Sequence, residues 1–332
     1  MRSRLIYLGL IALSLLVAFG LIEGGLRVAG VYAPIENPVK APQPELYEAD
    51  ATIGYRLHPS MKTTFRYPRK SKELVPLVSN SDGFRSSREF GEPDHRRRVL
   101  VVGDSFVFGP GVRAEDRLTE QLEILEPQWR VDNMGMTGWG LDLMVRAIEQ
   151  YGAKAKPDVL ILAVYTDDFR RLLPYYAGAG YAYPKFELRG SELVTTPFPY
   201  PRFWERLRLV QLLYQAKWRL NRDRYDLNEA LLNRYLKDSE GMGSKPVVAF
   251  FPGTDDNKED QERRAFLRNW TTRNNVPYVD LTEPIHSAGV QKVYITDNWH
   301  WNPSGHRIAA EQLRNVIARL PAMVASDPKP YE

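Results

Sequence analysis

The chain has 332 residues, with 45 Lys+Arg against 41 Asp+Glu, a net charge of +4 and a hydrophobic share of 43%. That composition excludes wholesale disorder and a collagen-like chain, and so small a net charge over this length argues against a nucleic-acid binder. There are no cysteines, which excludes a disulfide scaffold, a thiolate zinc site, a cysteine nucleophile and a lipoprotein acylation site.

Residues 5–22 carry no charge. As a helix they rise about 27 Å, close to the ~30 Å hydrocarbon core of a bilayer. Arg2 and Arg4 precede the run, and Glu23 and Arg27 follow it at i, i+4 spacing. The expectation is a cytoplasmic N-terminus and transmembrane signal anchor over 1–30, single-pass in the cell membrane. The Glu23–Arg27 pair would be solvated, with the rest of the chain on the extracytoplasmic side. A cleaved signal peptide is the rival, but the apolar run is longer than usual for one and no clean A-x-A site follows it. Residues 31–44 are proline-rich and read as a stiff linker.

Residues 45–97 hold a short apolar segment at 53–57, a basic stretch at 65–72 and a turn at Asn80-Ser81-Asp82-Gly83. They read as a small irregular β extension. From residue 98 the pattern changes. Residues 99–102 (VLVV), 159–164 (VLILAV) and 247–251 (VVAFF) are apolar at every position, as strands covered on both faces are. Shorter strand candidates lie at 130–132 and 278–281. Helical spacing is found at 118–125, 141–151, 258–270 and 304–320, the last with Asn302 as N-cap and Pro303 at its first position. The alternation predicts an α/β fold over 98–322, a doubly wound, flavodoxin-like parallel sheet with helices on both faces. A cap insertion at about 170–243 interrupts it, its second part (203–236) reading as amphipathic helix. Packing of that helix on the domain is expected over the alternative of lying on the bilayer, with Trp204, Tyr214 and Trp218 in the cap core. Residues 323–332 form a tail.

Open parallel sheets bind ligands at the carboxyl ends of their strands. Polar clusters are expected there at Gly103-Asp104-Ser105-Phe106, at residues 133–138 (NMGMTG) and at Tyr165-Thr166-Asp167-Asp168. A serine at a helix start offers a free backbone N–H, and glycines let a backbone N–H approach a ligand. A fourth cluster, Asp297-Asn298-Trp299-His300, precedes the last helix. Asp and His three positions apart can share one face, so that the carboxylate holds the imidazole while the other ring nitrogen takes a proton from a serine. His306 is read as structural, and His58, His95 and His286 as surface residues. Asp255-Asp256 is read as a solvated turn. No H-E-x-x-H arrangement is present, and neither metal nor cofactor is expected.

These blocks resemble the SGNH (GDSL) hydrolases. Gly103-Asp104-Ser105-Phe106 is similar to their nucleophile block, residues 133–138 to their glycine block and Asp297-x-x-His300 to their closing D-x-x-H block, in the same order across 98–320. The closing run 297–305 (DNWHWNPSG) and residues 80–85 (NSDGFR) look like those of membrane-tethered members associated with acylation of cell-surface polysaccharides. The resemblance implies a serine esterase or acyl hydrolase acting on O-acyl groups, acetyl among them, of carbohydrate or on another ester. An O-acetyltransferase in a polysaccharide export or acylation complex, a lipid or thioester hydrolase and a catalytically weak glycan- or partner-binding member are the alternatives. Ser105 would be the nucleophile, His300 the base and then acid, and Asp297 the orienting carboxylate. The N–H groups of Ser105 and Gly138 would form the oxyanion hole. The family's third donor is an asparagine, and Asp167 stands in its place. An ionised carboxylate cannot donate a hydrogen bond. Either the third donor is lost, at a cost of about 100- to 1,000-fold in rate with two backbone donors remaining, or Asp167 keeps a proton beside Asp168, or the register is shifted by one residue.

Overall fold

The computed structural model describes residues 2–31, 43–68, 71–174, 176–220, 223–296 and 298–321. The sheet is built by β5 (Arg97–Gly103), β6 (Trp129–Gly135), β7 (Val159–Tyr165), β10 (Lys245–Phe251) and β11 (Tyr278–Asp280). Its order is β11-β10-β7-β5-β6, and all its pairs are parallel. In order of appearance those strands read 2-1-3-4-5, the flavodoxin-like winding, whose direction reverses between β5 and β7.

Side chains alternate across a strand, so each apolar run feeds two cores. Leu100, Val102, Leu160, Leu162, Val248 and Phe250 face one side, against the helices Leu141–Ala147, Asp223–Gly241 and Lys258–Arg273. Val99, Val101, Ile161, Ala163, Val247 and Ala249 face the other, against Leu118–Leu125 and Pro303–Ile317. Asn302 caps that last helix by accepting from the N–H groups of Ser304 and Gly305.

The extension at 45–97 has more order than its sequence suggests. It forms two antiparallel hairpins, β1 (Tyr47–Asp50) with β2 (Gly54–Leu57) and β3 (Lys62–Phe65) with β4 (Val75–Val78). Tyr55, Leu57, Leu77 and Phe84 are fully buried in the first of the two cores. The motif at 80–85 has a local explanation. Asn80 Oδ1 accepts from the N–H groups of Asp82 and Phe84, Gly83 takes φ +81°, and the turn sends Phe84 and Arg85 inward.

Three expectations need correction. Residues 223–241 are not cap: this helix covers the sheet, where the buried Tyr235 hydroxyl donates to Leu160 O and accepts from Val247 N–H. The inserted part is the hairpin of β8 (Lys185–Arg189) and β9 (Glu192–Thr196) with the helix Arg208–Leu220. Trp204 and Tyr214 are about two-fifths exposed and not cap core, while the side chain of Trp218 lies outside the described residues. The helix Arg2–Val28 forms as expected, but its Glu23–Arg27 pair is not free in solvent. Glu23 is buried and accepts from Leu209 N–H, and Arg27 donates to Arg206 O.

Candidate active site

The first strand of the domain ends at Gly103 and the chain turns at once into the short helix Ser105–Phe108. Only glycine fits at the bend, because a Cβ on Gly103 would stand 2.4 Å from Val107 Cγ2. Asp104 caps the helix by accepting from Phe106 N–H at 2.9 Å. Asn133 holds it from β6, donating to Val107 O at 2.7 Å. At the far end the Arg85 guanidinium donates to Phe108 O, Gly109 O and Val112 O. Arg85 therefore completes the C-terminal end of the helix that begins with Ser105, and the motif at 80–85 supports this turn.

Ser105 and His300, far apart in sequence, meet: Ser105 Oγ lies 2.7 Å from His300 Nε2. Both are buried. Phe106 carries the imidazole on its ring (centroids 5.2 Å apart) and packs on Trp301 and Tyr165. The tautomer follows from the hydrogen bonds at the other ring nitrogen. Asn298 Oδ1 accepts from the His300 backbone N–H at 2.9 Å, which identifies that atom as the amide oxygen. The same oxygen lies 2.8 Å from Nδ1, so Nδ1 carries the hydrogen and Nε2 offers its lone pair to Ser105. Tyr67 Oη lies 2.7 Å from Nδ1 as well. Asp297, expected to orient the ring, lies outside the described residues.

Burial, with Arg171 nearby, lowers the His300 pKa from 6.5 to about 3, so the ring is neutral at physiological pH and ready to accept a proton. His306 is structural, as expected: its Nδ1 accepts from Leu118 N–H, and burial lowers its pKa to about 3 too. His286 is less free than expected, since its Nε2 lies 2.9 Å from Gly253 O.

These two lowered values have a readable sign. Between about 3 and 6.5 the unfolded chain binds protons that the folded chain excludes, so stability is full above 6.5 and falls as the pH drops. Each ring contributes a slope of up to about 1.4 kcal/mol per pH unit. His306→Gln keeps an acceptor for Leu118 N–H and should remove about one such slope between pH 6 and 4 in chemical denaturation. Turnover per folded molecule should stay level from pH 8 to 5, because His300 remains unprotonated there.

The glycine block contributes a loop with defined peptide directions. Met134 and Gly135 belong to β6, not to the loop after it, and the turn is made at Gly138, with φ +84°. Three successive carbonyls of this loop are each bound by a side chain from elsewhere: Thr137 O by Tyr55 Oη, Gly138 O by Tyr176 Oη and Trp139 O by Arg171 Nη1. Among the described residues neither Ser105 N–H nor Gly138 N–H has an acceptor. A backbone N–H without an acceptor can hold an oxyanion where it faces the reacting carbonyl.

Asp167, the doubtful third member, turns its carboxylate to Arg170 at 2.7 Å and is partly exposed. The buried acid is its neighbour. Asp168 accepts from Tyr165 N–H, and burial together with the charge of Asp104 pushes its pKa well above the usual carboxylate range, against the pull of Arg171. Arg171 lies where the winding reverses. Its Nη1 donates to Asp104 after β5, to Trp139 O after β6 and to Asp168 after β7, at 2.7–2.8 Å. Sequence reasoning missed Arg171, Asn298, Tyr67 and Tyr55 as site residues. For Asn298 the signal was its place inside the closing block.

A serine after the first strand, a glycine loop after the second and a histidine before the last helix, on a 2-1-3-4-5 sheet, make a layout similar to that of the SGNH hydrolases. No family model and no curated protein sequence matches the chain. Among solved structures it is similar to a lipolytic protein of the G-D-S-L family from Veillonella parvula, at 16% identity and a TM-score of 0.43 over 68% of this chain and 100% of that one. It is also similar to the acetyl xylan esterase AlAXEase (15%, TM-score 0.45, 66% and 99% covered). A third is the psychrotrophic esterase EstA from a Pseudoalteromonas species (11%, TM-score 0.46, 67% and 97% covered).

Proposed function

We propose that this protein is a serine esterase of the SGNH type that removes acyl groups, acetyl among them, from a carbohydrate through an acyl-enzyme at Ser105. One observation carries the reading: Ser105 Oγ stands 2.7 Å from the unprotonated Nε2 of His300. His300 takes the hydroxyl proton as Oγ attacks the acyl carbonyl. The carbonyl oxygen gathers negative charge against the N–H groups of Ser105 and Gly138. The ring then returns the proton to the leaving sugar oxygen; water, giving a proton to His300, attacks the acyl carbon, the bond to Ser105 Oγ breaks with that proton returned to Oγ, and the free acid leaves. The carbohydrate assignment rests on the likeness of 297–305 and 80–85 to tethered polysaccharide-acylating proteins. Transfer to a sugar hydroxyl is the second reading, favoured by the burial of Ser105, which is 3% exposed, since a covered acyl-enzyme is protected from water.

The helix Arg2–Val28 is long and apolar enough to cross a membrane and exposes its apolar side chains, which supports an anchor. We place the catalytic domain on the extracytoplasmic side, from the positive charges that precede the apolar run. The exposed Phe203 and Trp204 lie next to Arg206, which Arg27 of the anchor contacts, and suit the headgroup region.

The full chain in detergent or nanodiscs should be labelled by a fluorophosphonate, with the adduct on Ser105 by peptide mass spectrometry. Folded protein that takes no label would overturn the esterase reading in favour of a binding protein. A panel of acetylated sugars and long-chain esters then separates carbohydrate from lipid substrates, and sugar acceptors separate transfer from hydrolysis.

A further inference from the structure

We propose that the N-terminal hairpins are part of the catalytic machinery: the hydroxyl of Tyr67 positions the His300 imidazole, and that of Tyr55 aims the Gly138 N–H at the developing oxyanion. This rests on the esterase reading above and adds to it two positioning residues from outside the α/β domain.

Tyr67 follows β3, in the basic stretch whose role the sequence left open. Its Oη lies 2.7 Å from His300 Nδ1, and its ring meets the imidazole edge-to-face, with centroids 5.2 Å apart. Since Nδ1 carries a hydrogen, the phenolic oxygen acts there as an acceptor beside Asn298 Oδ1. When Nε2 takes the serine proton, the charge that forms on the ring is shared with Nδ1–H, and a second acceptor holds it. Tyr67 is mostly buried and its pKa is pushed up to about 12, so the phenol stays neutral. A neutral acceptor holds the ring in place without pinning a proton on it before attack.

Tyr55, in β2, acts at the other half of the site. It is fully buried, and its hydroxyl donates to Thr137 O at 2.7 Å. In a trans peptide the C=O and the next N–H point in opposite directions. Binding Thr137 O on one side therefore turns Gly138 N–H to the other, and the left-handed turn at Gly138 follows it. Tyr181 stacks its ring on that of Tyr55, while its hydroxyl donates to Tyr47 O and to no atom of the loop.

The test uses the full chain and the variants Tyr67→Phe, Tyr55→Phe and, as control, Tyr181→Phe, which removes a hydroxyl that bonds the extension at Tyr47 O, away from the site. Expected for Tyr67→Phe and Tyr55→Phe is a fall in kcat of about 10- to 100-fold with KM within about twofold, and slower fluorophosphonate labelling. Thermal unfolding should stay near that of Tyr181→Phe, whose kinetics should match the parent chain. The proposal fails if both variants turn over and label like Tyr181→Phe, or if their kcat falls only in step with lost folded protein. Failure of the parent chain itself to label would instead overturn the esterase reading.

Discussion

Ser105→Ala should abolish fluorophosphonate labelling and lower ester turnover by about 10⁴- to 10⁶-fold, with little change in thermal stability. The hydroxyl is small, and its loss leaves the cap at Asp104 and the buried neighbours of the helix Ser105–Phe108 in place. His300→Ala should cost a similar factor in turnover by a different route. Ser105 keeps its hydroxyl but loses its proton acceptor, and an alcohol at its ordinary pKa is a poor nucleophile. The double variant should be no slower than either single one, because the two groups act as a unit. What activity remains would come from the N–H groups of Ser105 and Gly138. Initial rates on an acetyl ester, compared across the three variants, check this. Losses that multiply in the double variant would mean that Ser105 and His300 do not act in one step.

The strands were readable because burial on both faces leaves little but Val, Leu, Ile, Ala and Phe in 99–102, 159–164 and 247–251. Ser105 and His300 were readable because each falls beside a local structural signal, a glycine that ends a strand and an N-cap that opens a helix. Tyr67 carried no such signal. Its partner His300 is more than two hundred positions away, and nothing in the local pattern at 65–72 distinguishes a tyrosine that reaches an imidazole from one on the surface. The same holds for Arg85, whose carbonyl partners lie at 108–112. The amphipathic period of 203–236 told that one face is covered but not by what. The structure divides it between a segment beside the helix Arg2–Val28 and a helix lying on the sheet. Asp167 shows the limit of motif reading in the other direction. The motif position pointed to it, while the buried acid tied into the loops is Asp168, one residue on.

Arg171→Met should destabilise the domain by about 3–5 kcal/mol. The guanidinium is mostly buried and lies between two carboxylates, Asp104 and Asp168, that are both fully buried. Methionine fills much of the volume but leaves those acids without a cation. The cost should therefore depend on charge rather than packing, which gives two ways to recognise it. Asp168→Asn added to Arg171→Met should recover a large part of the stability, since an amide needs no counter-ion. The deficit should also shrink as the pH falls, because Asp168, already raised well above the usual carboxylate range, takes up a proton and the repulsion from Asp104 disappears. Urea unfolding of the parent, single and double variants at pH 8 and pH 5.5 measures both. A deficit that is independent of pH and unrelieved by Asp168→Asn would assign Arg171 a packing role. Recovery in both arms would establish that the loops after β5, β6 and β7, which carry Ser105, Gly138 and Asp168, are held by one buried cation.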